Sequence, residues 1–484
     1  MMPLPAKSPL APLCVDLDGT LLKTDLLFES LARLLKQKPW MMLLVPFWLL
    51  RGKAALKRTL ARHVSMNPAL LPYNQPFLEW LRAEKSRGRE LFLATAADAL
   101  LAEAVAAHLG IFTAVIASDG RVNLKGKRKL EALRQIIPGE FEYAGDSSAD
   151  IGIFQGCSAA ILVNASPSIA ARVSKLVPVA KTFESEKRSW KIYLRALRVH
   201  QWTKNVLIYI PLITSHQLLR GALLLHATVG VVLFSLCCSA QYILNDLADL
   251  ESDRRHATKR QRPFASGALS IRTGFLASFA LLAVSLGTGL LISRVLFFLL
   301  VTYFILSLSY SLFLKRVLLL DVFVLSGLYT FRVIAGLLVT HVEFSEWLIS
   351  FALFLFLSMA FSKRSAELRG AGRSTAISGR DYEPDDLPQV NIFGICSAFL
   401  SAVVFILYLQ SERVRELYKQ PQLLWLLSPV YLYWISRIWM LTSRGKVHED
   451  PVLFVLKDRT TYLVCLVSGA IMFAATSSWG ISFH

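Results

Sequence analysis

The sequence has few cysteines, few acidic residues and little charge of any kind. Its six cysteines contain no C-x-x-C pair, which excludes a disulfide framework and a cysteine-based metal site. Only 18% of the 484 residues are charged, and a mean hydropathy of +0.48 is too high for an ordinary soluble enzyme. The sequence contains 34 acidic residues and 53 Lys and Arg, which gives a net charge of +19. This excess of positive charge favours an anionic membrane surface or phosphorylated substrates as the binding partner. A protein that binds nucleic acid could carry the same charge but would not need long apolar runs.

The first residues also lack a signal-peptide pattern, so we expect the N-terminal region to stay in the cytoplasm. Composition changes near residue 190, from alternating short segments to long apolar runs. We predict a globular domain over 1–180, a basic interfacial linker over 181–196 and a membrane domain over 197–484. The run Met41–Leu50 is too short to cross a bilayer. A buried helix is the plainer interpretation of this run, and a helix that grazes the membrane is the alternative.

Long apolar runs predict an all-α membrane bundle of about nine helices. The expected spans are 205–219, 222–243, 272–292, 295–314, 318–340, 346–362, 391–409, 422–441 and 462–480. Loops after the even spans carry 16 Lys and Arg, and those after the odd spans carry 5. The positive-inside rule therefore predicts a cytoplasmic N-terminal domain, cytoplasmic even loops and an external C-terminus. In a bacterium this would be a protein of the inner membrane, and a homo-oligomer is left open.

Carboxylates follow predicted strands in the first domain. Asp16 and Asp18 leave the apolar segment Leu13–Val15, and Asp146 and Asp150 follow a second apolar segment. Thr95 ends a further predicted strand, and a basic turn before Lys129 opens a helix. The carboxyl ends of successive parallel strands form the ligand crevice of an open α/β sheet. The sequence therefore predicts a Rossmann-like α/β domain with a phosphate and metal site.

This order of motifs resembles the haloacid dehalogenase (HAD) superfamily of phosphohydrolases, which implies that the largely helical insert over about 25–87 is a small cap. The resemblance implies that Asp16 is the nucleophile and Asp18 the general acid and base. It further implies that Thr95 and Lys129 hold the phosphoryl group, with Lys127 as the alternative lysine. The implied Mg²⁺ site contains Asp16, Asp18, Asp146 and Asp150.

Acidic residues are also concentrated where the second span ends. Asn245, Asp249 and Asp253 repeat every four residues and Asp246 lies between them, so a helix would place them in one oxygen-rich stripe. Such a stripe at a membrane boundary is costly unless cations fill it, and these oxygen ligands suit Mg²⁺ bridging to a diphosphate. Lys259 and Arg262 follow, as donors suited to phosphate oxygens. The pattern predicts an anion cradle.

The N-D-x-x-D-x-x-x-D signature followed by K-x-x-R-P resembles the UbiA superfamily of intramembrane prenyltransferases, a nine-helix family. Segments around Lys204, Lys363 and Asp458 resemble its decaprenyl-phosphate phosphoribosyltransferase group. That resemblance implies phosphoribosyl pyrophosphate as the donor and a polyprenyl phosphate as the acceptor. Asp246, Asp249 and Asp253 would then be catalytic and, with Asn245, hold Mg²⁺. The expected substrate-binding residues are Lys204, Asn245, Lys259, Arg262, Lys315, Lys363, Arg364, Glu367 and Tyr382. Second-tier candidates are Tyr310, Asp321, Arg373 and Asp450.

The presence of a phosphatase-like domain on a transferase predicts sequential chemistry. Transfer of 5-phosphoribose leaves a 5-phosphate on the lipid, and the first domain would remove it to give polyprenyl-phosphoryl-ribose. Tethering raises the local concentration of the second site. One alternative is an aromatic prenyltransferase that uses polyprenyl diphosphate, with a regulatory or unrelated first domain. A transporter fits the spans but does not explain the acidic stripe.

Overall fold

A computed structural model describes residues 10–184, 189–371, 380–447 and 451–476. The chain divides into two compact units. The first joins residues 1–198 to residues 242–280, so the acidic segment after the second predicted span belongs to the N-terminal unit. The second contains residues 199–241 and 281–484.

A six-stranded parallel sheet forms the centre of the first unit, as the sequence predicts. Its strands are β1 Leu13–Val15, β2 Leu91–Asp98, β3 Ala114–Ser118, β4 Glu142–Gly145, β5 Ala159–Val163 and β6 Val179–Phe183. The spatial order is β3-β2-β1-β4-β5-β6. β1 therefore lies between β2 and β4, and the chain order reverses there, which is where open α/β sheets bind ligands. Apolar side chains pack on both faces of the sheet, as expected for a parallel sheet covered by helices.

Helices surround this sheet, and the four between β1 and β2 lie in the segment predicted as a cap. In chain order the helices are α1 Leu26–Gln37, α2 Val45–Leu50, α3 Lys53–His63, α4 Gln75–Ser86, α5 Ala99–Leu109, α6 Lys127–Ile136, α7 Ile151–Phe154, α8 Pro167–Val173 and α9 Lys191–Leu197. Asp25 caps α1 by accepting a hydrogen bond from the Leu27 amide at 2.8 Å. Helices α1 to α3 enclose a small apolar core that includes Leu34, Leu56 and Leu60.

The apolar run Met41–Leu50 is helical but not buried. A 3₁₀ helix, Pro39–Leu44, leads into α2, and neither contains a buried residue. Trp40, Leu43, Phe47 and Leu50 are each more than 60% exposed. The interpretation as a buried helix is therefore wrong, because only the opposite side of this run contacts α1 and α3.

Helices make up most of the rest of the described chain. Four of them are only five or six residues long, and the others are longer. In chain order they are α10 Ile210–Thr214, α11 Gly221–Ala248, α12 Leu250–Arg255, α13 Ile271–Ile292, α14 Arg294–Leu312, α15 Leu320–Thr340, α16 Glu346–Ala371, α17 Leu387–Leu409, α18 Glu412–Leu417, α19 Leu427–Ser443, α20 Pro451–Val455 and α21 Arg459–Thr476.

Seven helices in the described residues are long and apolar enough to cross a membrane, where the sequence predicts about nine. They are α11, α13, α14, α15, α16, α17 and α21. The first expected span is instead a 3₁₀ segment, Val199–Tyr209, followed by the short α10. The eighth is a 3₁₀ turn, Pro421–Leu426, followed by the 17-residue α19. Both regions are helical, but each is divided into two shorter elements, which explains the lower count.

Glycines permit close packing inside the second unit. A Cβ on Gly336 of α15 would lie 2.3 Å from the Ile208 carbonyl oxygen, so only glycine fits against the Val199–Tyr209 segment. Close backbone approach through small residues is a common way for membrane helices to pack. Gly327 on the same helix has no atom within 4 Å of such a Cβ.

We predict that Gly336→Ala destabilises the membrane unit, whereas Gly327→Ala does not. Overpacking against a backbone atom costs about 1–3 kcal/mol, while alanine in an open helical position is neutral or favourable. Thermal unfolding in detergent, followed by the loss of monodisperse protein, measures the difference. Equal midpoints for the two variants would contradict this packing.

Candidate active sites

Three carboxylates converge at the carboxyl ends of β1 and β4. Asp16 directly follows β1, Asp146 directly follows β4, and Asp150 lies in the turn Ser148–Asp150. One oxygen from each lies within 4.8 Å of the others, a spacing that could hold a metal ion. Gly19 approaches this group so closely that a Cβ would lie 2.4 Å from Asp146 Oδ2. Its φ of +82° also favours glycine.

Lys129 supplies the positive charge of this cluster. Its buried ammonium donates to Asp16 Oδ1 at 2.8 Å and lies 3.5 Å from Asp150 Oδ1. It also donates to the Tyr143 hydroxyl at 2.9 Å, which in turn donates to Asp150 at 3.0 Å. Lys127, the alternative lysine, is exposed. The first turn of α6 therefore brings Lys129, and not Lys127, to the carboxylates.

Asp18 and Thr95 occupy the edge of the same crevice. Asp18 accepts a hydrogen bond from the Leu26 amide at 2.9 Å, at the start of α1. It is outside the three-carboxylate group found in the described part of the chain. Thr95 is fully buried, and its hydroxyl oxygen accepts from the Ala97 amide at 3.0 Å. The strand expected to end at Thr95 continues to Asp98 after an irregular register.

Burial raises the pKa of these carboxyls despite the nearby lysine. The pKa of Asp16 rises to about 6, chiefly through desolvation, which Lys129 opposes. That of Asp146 rises to about 7 through desolvation and the charges of Asp16 and Asp150. Desolvation also holds the pKa of Asp18 well above its usual range. Crowded carboxyls that resist ionisation are the donor set expected of a divalent-cation site, because the cation replaces protons. These residues fit Mg²⁺.

The acidic stripe lies at a break between two helices. α11 ends at Ala248 and α12 begins at Leu250, so Asp249 interrupts the single helix that the four-residue repeat predicts. Asp246 and Asp253 nevertheless converge on one guanidinium, since Arg262 Nη1 lies 3.1 Å from Asp246 Oδ1 and 2.7 Å from Asp253 Oδ2. Burial raises the pKa of Asp253, although Arg262 opposes the shift. Two buried carboxylates suit Mg²⁺, which usually takes one or two protein carboxylates, but Asp246, Asp249 and Asp253 are not among the described groups of three acidic side chains with oxygens within 4.8 Å of one another.

Other cations around the stripe differ in their exposure. Arg198, at the end of α9, donates to Asp246 and lies over the Tyr242 ring. No site role was predicted for this residue, and its pairing with Asp246 spans 48 residues of sequence. Lys36 of α1 donates to Asp249. Lys259 is exposed in the turn Lys259–Gln261.

A second polar group surrounds Asp321 in the other unit. Its Oδ1 accepts from the Tyr382 hydroxyl at 2.7 Å, and its Oδ2 lies 2.9 Å from both Arg364 and Arg380. Arg364 also pairs with Glu367 and is fully buried. The structure thus brings Arg364, Glu367 and Tyr382 together around Asp321. Sequence patterns placed Asp321 only among the second-tier candidates and gave no role to Arg380, because no local pattern links residues about 60 positions apart.

Two models of known families match the chain. A haloacid dehalogenase-like hydrolase model covers residues 13–155, and a UbiA prenyltransferase family model covers residues 207–375. The chain is a fusion of a HAD-like domain and a UbiA-family domain. The three-carboxylate cluster therefore belongs to the HAD-like domain. The acidic stripe belongs to the UbiA domain, although it packs within the N-terminal unit.

Several known proteins are similar to part or most of the chain. "Uncharacterized protein y4nM" of Sinorhizobium fredii is 40% identical over 469 residues, which cover 96% of this chain and 91% of that protein. Nodulation protein NoeC of Azorhizobium caulinodans is 32% identical over 286 residues, 58% of this chain and 91% of its own length. Decaprenyl-phosphate phosphoribosyltransferase of Mycobacterium tuberculosis is 34% identical over 194 residues, 39% of this chain and 64% of that enzyme.

Solved structures of UbiA proteins also align with the fusion. A UbiA homolog from Archaeoglobus fulgidus bound to DMAPP and Mg²⁺ aligns with 59% of this chain and 99% of its own, at 20% identity and a TM-score of 0.46.

The remaining charged candidates of the UbiA domain differ in burial and in the residues that they contact. Lys204 is buried over the Tyr329 ring. Lys315 is half-buried in the turn that follows α14, and Lys363 is half-buried within α16. Asp458 caps α21 through Thr461 and pairs with Arg437, a structural role. Two further candidates, Arg373 and Asp450, lie outside the described residues.

An arginine within α15 was missed by the sequence analysis. Arg332 is buried and donates to Asn205 Oδ1 at 2.9 Å and to the Tyr303 hydroxyl at 2.6 Å. A fully hydrogen-bonded cation inside a membrane span is costly to place and is a candidate functional residue.

A cavity of about 670 Å³ lies at the opposite ends of α15, α16 and α17 from Asp321 and Arg364. Its aromatic walls include Trp347, Phe351 and Phe405. Sixteen residues of α15 separate Asp321 from the lining residue Leu337, roughly 24 Å along a helix. The cavity is therefore separate from the polar group around Asp321.

We predict that the HAD-like domain binds Mg²⁺ more tightly as the pH rises. Because the pKa of Asp146 is raised to about 7, Mg²⁺ must displace a proton at pH 6 but not at pH 8. Apparent affinity should increase about tenfold between these values. Mg²⁺ titration of aryl phosphate hydrolysis at each pH measures it. Asp119→Asn is the control, because that exposed carboxyl has a lowered pKa; an affinity independent of pH would contradict the prediction.

Proposed function

We propose that the protein is a bifunctional membrane enzyme. Its UbiA domain transfers 5-phosphoribose from phosphoribosyl pyrophosphate to a polyprenyl phosphate, and its HAD-like domain removes the 5-phosphate to give polyprenyl-phosphoryl-ribose. The observation that carries this proposal is the presence in one chain of two separate carboxylate clusters, each paired with cations suited to phosphate. Seven apolar helices and the UbiA family place the protein in a membrane. We further propose that both clusters face the cytoplasm and that the C-terminus lies outside.

In the transfer reaction, the lipid phosphate oxygen forms a bond to the anomeric carbon of the ribose and pyrophosphate departs. Mg²⁺ held by Asp246, Asp249, Asp253 and Asn245 would neutralise charge on the leaving group. Arg198 and Arg262 already contact these carboxylates, so they lie where leaving-group oxygens would need donors. Lys204, Lys259, Lys315 and Lys363 are further phosphate-binding candidates. Asp321 with Arg364, Glu367 and Tyr382 would position the ribose or the acceptor.

In the hydrolytic reaction, Asp16 attacks phosphorus and the bond to the ribose 5-oxygen breaks. Asp18 gives its proton to that oxygen, and its raised pKa keeps the proton available. The same carboxylate then removes a proton from the water that cleaves the aspartyl-phosphate, releasing inorganic phosphate. Lys129 neutralises the phosphoryl oxygens beside Asp16, and Thr95 holds one of them. Asp146 and Asp150 would complete a Mg²⁺ site with Asp16.

The similarity to decaprenyl-phosphate phosphoribosyltransferases supports the choice of donor and acceptor. Transfer by such an enzyme leaves a phosphomonoester on the lipid, and a phosphomonoesterase-like centre is the second part of this chain. The product of the first site is then the substrate of the second.

We predict that Asp16→Asn stops the sequence after its first step. Purified protein with Mg²⁺, phosphoribosyl pyrophosphate and polyprenyl phosphate should accumulate the 5-phosphorylated lipid, because the amide cannot form the phosphoenzyme. Asp253→Asn should instead lower transfer by roughly 10²–10³-fold. Mass spectrometry of the lipid products distinguishes the two variants.

Release of only the 5-phosphorylated lipid by the wild-type protein would contradict the proposed coupling of the two reactions. A parallel assay with polyprenyl diphosphate and an aromatic acceptor tests the alternative, an aromatic prenyltransferase with a regulatory HAD-like domain. Turnover with that pair, and none with phosphoribosyl pyrophosphate, would replace the proposal with this alternative.

A further inference from the structure

A row of ion pairs joins the HAD-like domain to the acidic segment of the UbiA domain, entirely within the first compact unit. Glu29, Arg33 and Lys36 lie on one face of α1, spaced by four and three residues. Their partners Arg254, Glu251 and Asp249 follow in the reverse order along α12 and the residue before it. In each row one charge is followed by two charges of the opposite sign, so a shift of register by one pair would bring two like charges together.

The innermost pair is the most buried. Glu29 is 1% exposed, and its two oxygens accept from Arg254 Nη1 at 3.2 Å and Nη2 at 2.5 Å. Arg254 also donates through Nε to the Ala265 carbonyl oxygen at 3.0 Å. This bidentate geometry fixes both position and orientation. It also extends the contact from α12 to the loop that follows Arg262.

The two ends of α1 lie at two different sites. Its first turn contacts Asp18, through the Leu26 amide, and its last turn carries Lys36 to Asp249. Twelve helical residues span about 18 Å. A second contact lies nearby, since a Cβ on Gly267 would meet Lys23 Cβ at 2.8 Å. The loop between Asp18 and Asp25 therefore also touches the segment after the acidic stripe.

We propose that Glu29, Arg33 and Lys36 are positioning residues of the transferase. They hold α12, and through it Asp249 and Asp253, in the geometry that binds the Mg²⁺ complex of a diphosphate donor. The HAD-like domain is then a structural part of the membrane active site and not only a tethered second enzyme. The identity of the donor in this proposal rests on the proposed function. The position of the carboxylates does not.

Charge reversal of the pair formed by the buried Arg33 and the half-buried Glu251 tests this role. We expect Arg33→Glu and Glu251→Arg each to raise the KM for donor and the Mg²⁺ activation constant about tenfold or more, because α12, which carries Asp253, would lose its pairing with α1. The double variant R33E/E251R should restore both to within about threefold. Aryl phosphate hydrolysis by the HAD-like domain should stay unchanged. Arg82→Glu, an exposed reversal on α4, is the matched control.

A readout independent of turnover accompanies the kinetics. Amide hydrogen exchange of Leu250–Arg255 should speed up in each single reversal and slow again in the double variant. Lys36→Gln and Lys36→Arg form a milder pair, in which only the arginine should retain wild-type KM. Single reversals that match Arg82→Glu in kinetics and exchange would overturn the proposal, as would a double variant no better than the worse single one.

Failure of the proposed function would be recognised separately. The kinetics use whichever diphosphate donor the wild-type protein turns over. Wild-type turnover with polyprenyl diphosphate alone would reject the phosphoribosyl donor, while the reversal and rescue in KM and exchange would still decide the role of α1.

A second, independent observation concerns the exposed apolar face formed by Trp40, Leu43, Phe47 and Leu50. Between Glu29 and Glu79 the sequence contains no acidic residue, but it contains eight Lys and Arg. Lys38, Arg51 and Lys53 directly flank the apolar face. An apolar helical edge bordered by cations is suited to the interface of an anionic bilayer. We infer that this edge of the cap docks on anionic lipid.

Hydrogen exchange of the full-length protein in nanodiscs tests this docking. Residues 39–51 should exchange several-fold more slowly in discs with phosphatidylglycerol than in purely zwitterionic discs, and high salt should reduce the difference. The triple variant L43S/F47S/L50S should lose this protection, whereas Leu100→Ser, an exposed leucine on α5, should not. Equal exchange in both discs, or protection that depends on protein concentration and so indicates contact between copies, would overturn the inference.

Discussion

The crowding of carboxylates in low-polarity surroundings is the constraint on which the rest of this structure depends. Asp16, Asp146 and Asp150 each place an oxygen within 4.8 Å of the others, so their negative charges repel one another unless a cation lies between them. Asp246 and Asp253 face the same difficulty near the membrane. In both places fixed cations, Lys129 and Arg262, relieve the repulsion. A divalent ion and a phosphate can replace part of these contacts without leaving any charge unpaired.

Local sequence patterns predicted most of the features that this constraint imposes. The motif around Asp16 and Asp18, the parallel sheet and the choice of Lys129 over Lys127 depend on residues near in sequence or on strand order. The patterns failed where pairing is distant. No sequence pattern near Asp321 indicates its contact with Arg380, and none near Asp246 indicates its contact with Arg198.

Two other differences have local physical causes that periodicity could not show. A four-residue repeat predicts one helix through Asn245 and Asp253, but Asp249 interrupts it and lies between α11 and α12. The apolar content of Met41–Leu50 indicates a buried helix, because hydropathy does not show whether protein or lipid covers a side chain. The excess of Lys and Arg around this run is the sequence feature that favours lipid as the covering surface.

The ion pairs of α1 give a structural reason for the fusion. The first helix of the HAD-like domain contacts the acidic segment of the UbiA domain directly. Tethering therefore does more than raise a local concentration, since the HAD-like domain also supports the geometry of the membrane site.

A time course of lipid products from the wild-type protein tests the central claim most directly. With Mg²⁺, phosphoribosyl pyrophosphate and polyprenyl phosphate, mass spectrometry should detect polyprenyl-phosphoryl-ribose 5-phosphate first and polyprenyl-phosphoryl-ribose afterwards, as the former declines. A phosphorylated lipid that persists unchanged, or a complete absence of ribosylated lipid, would contradict the account.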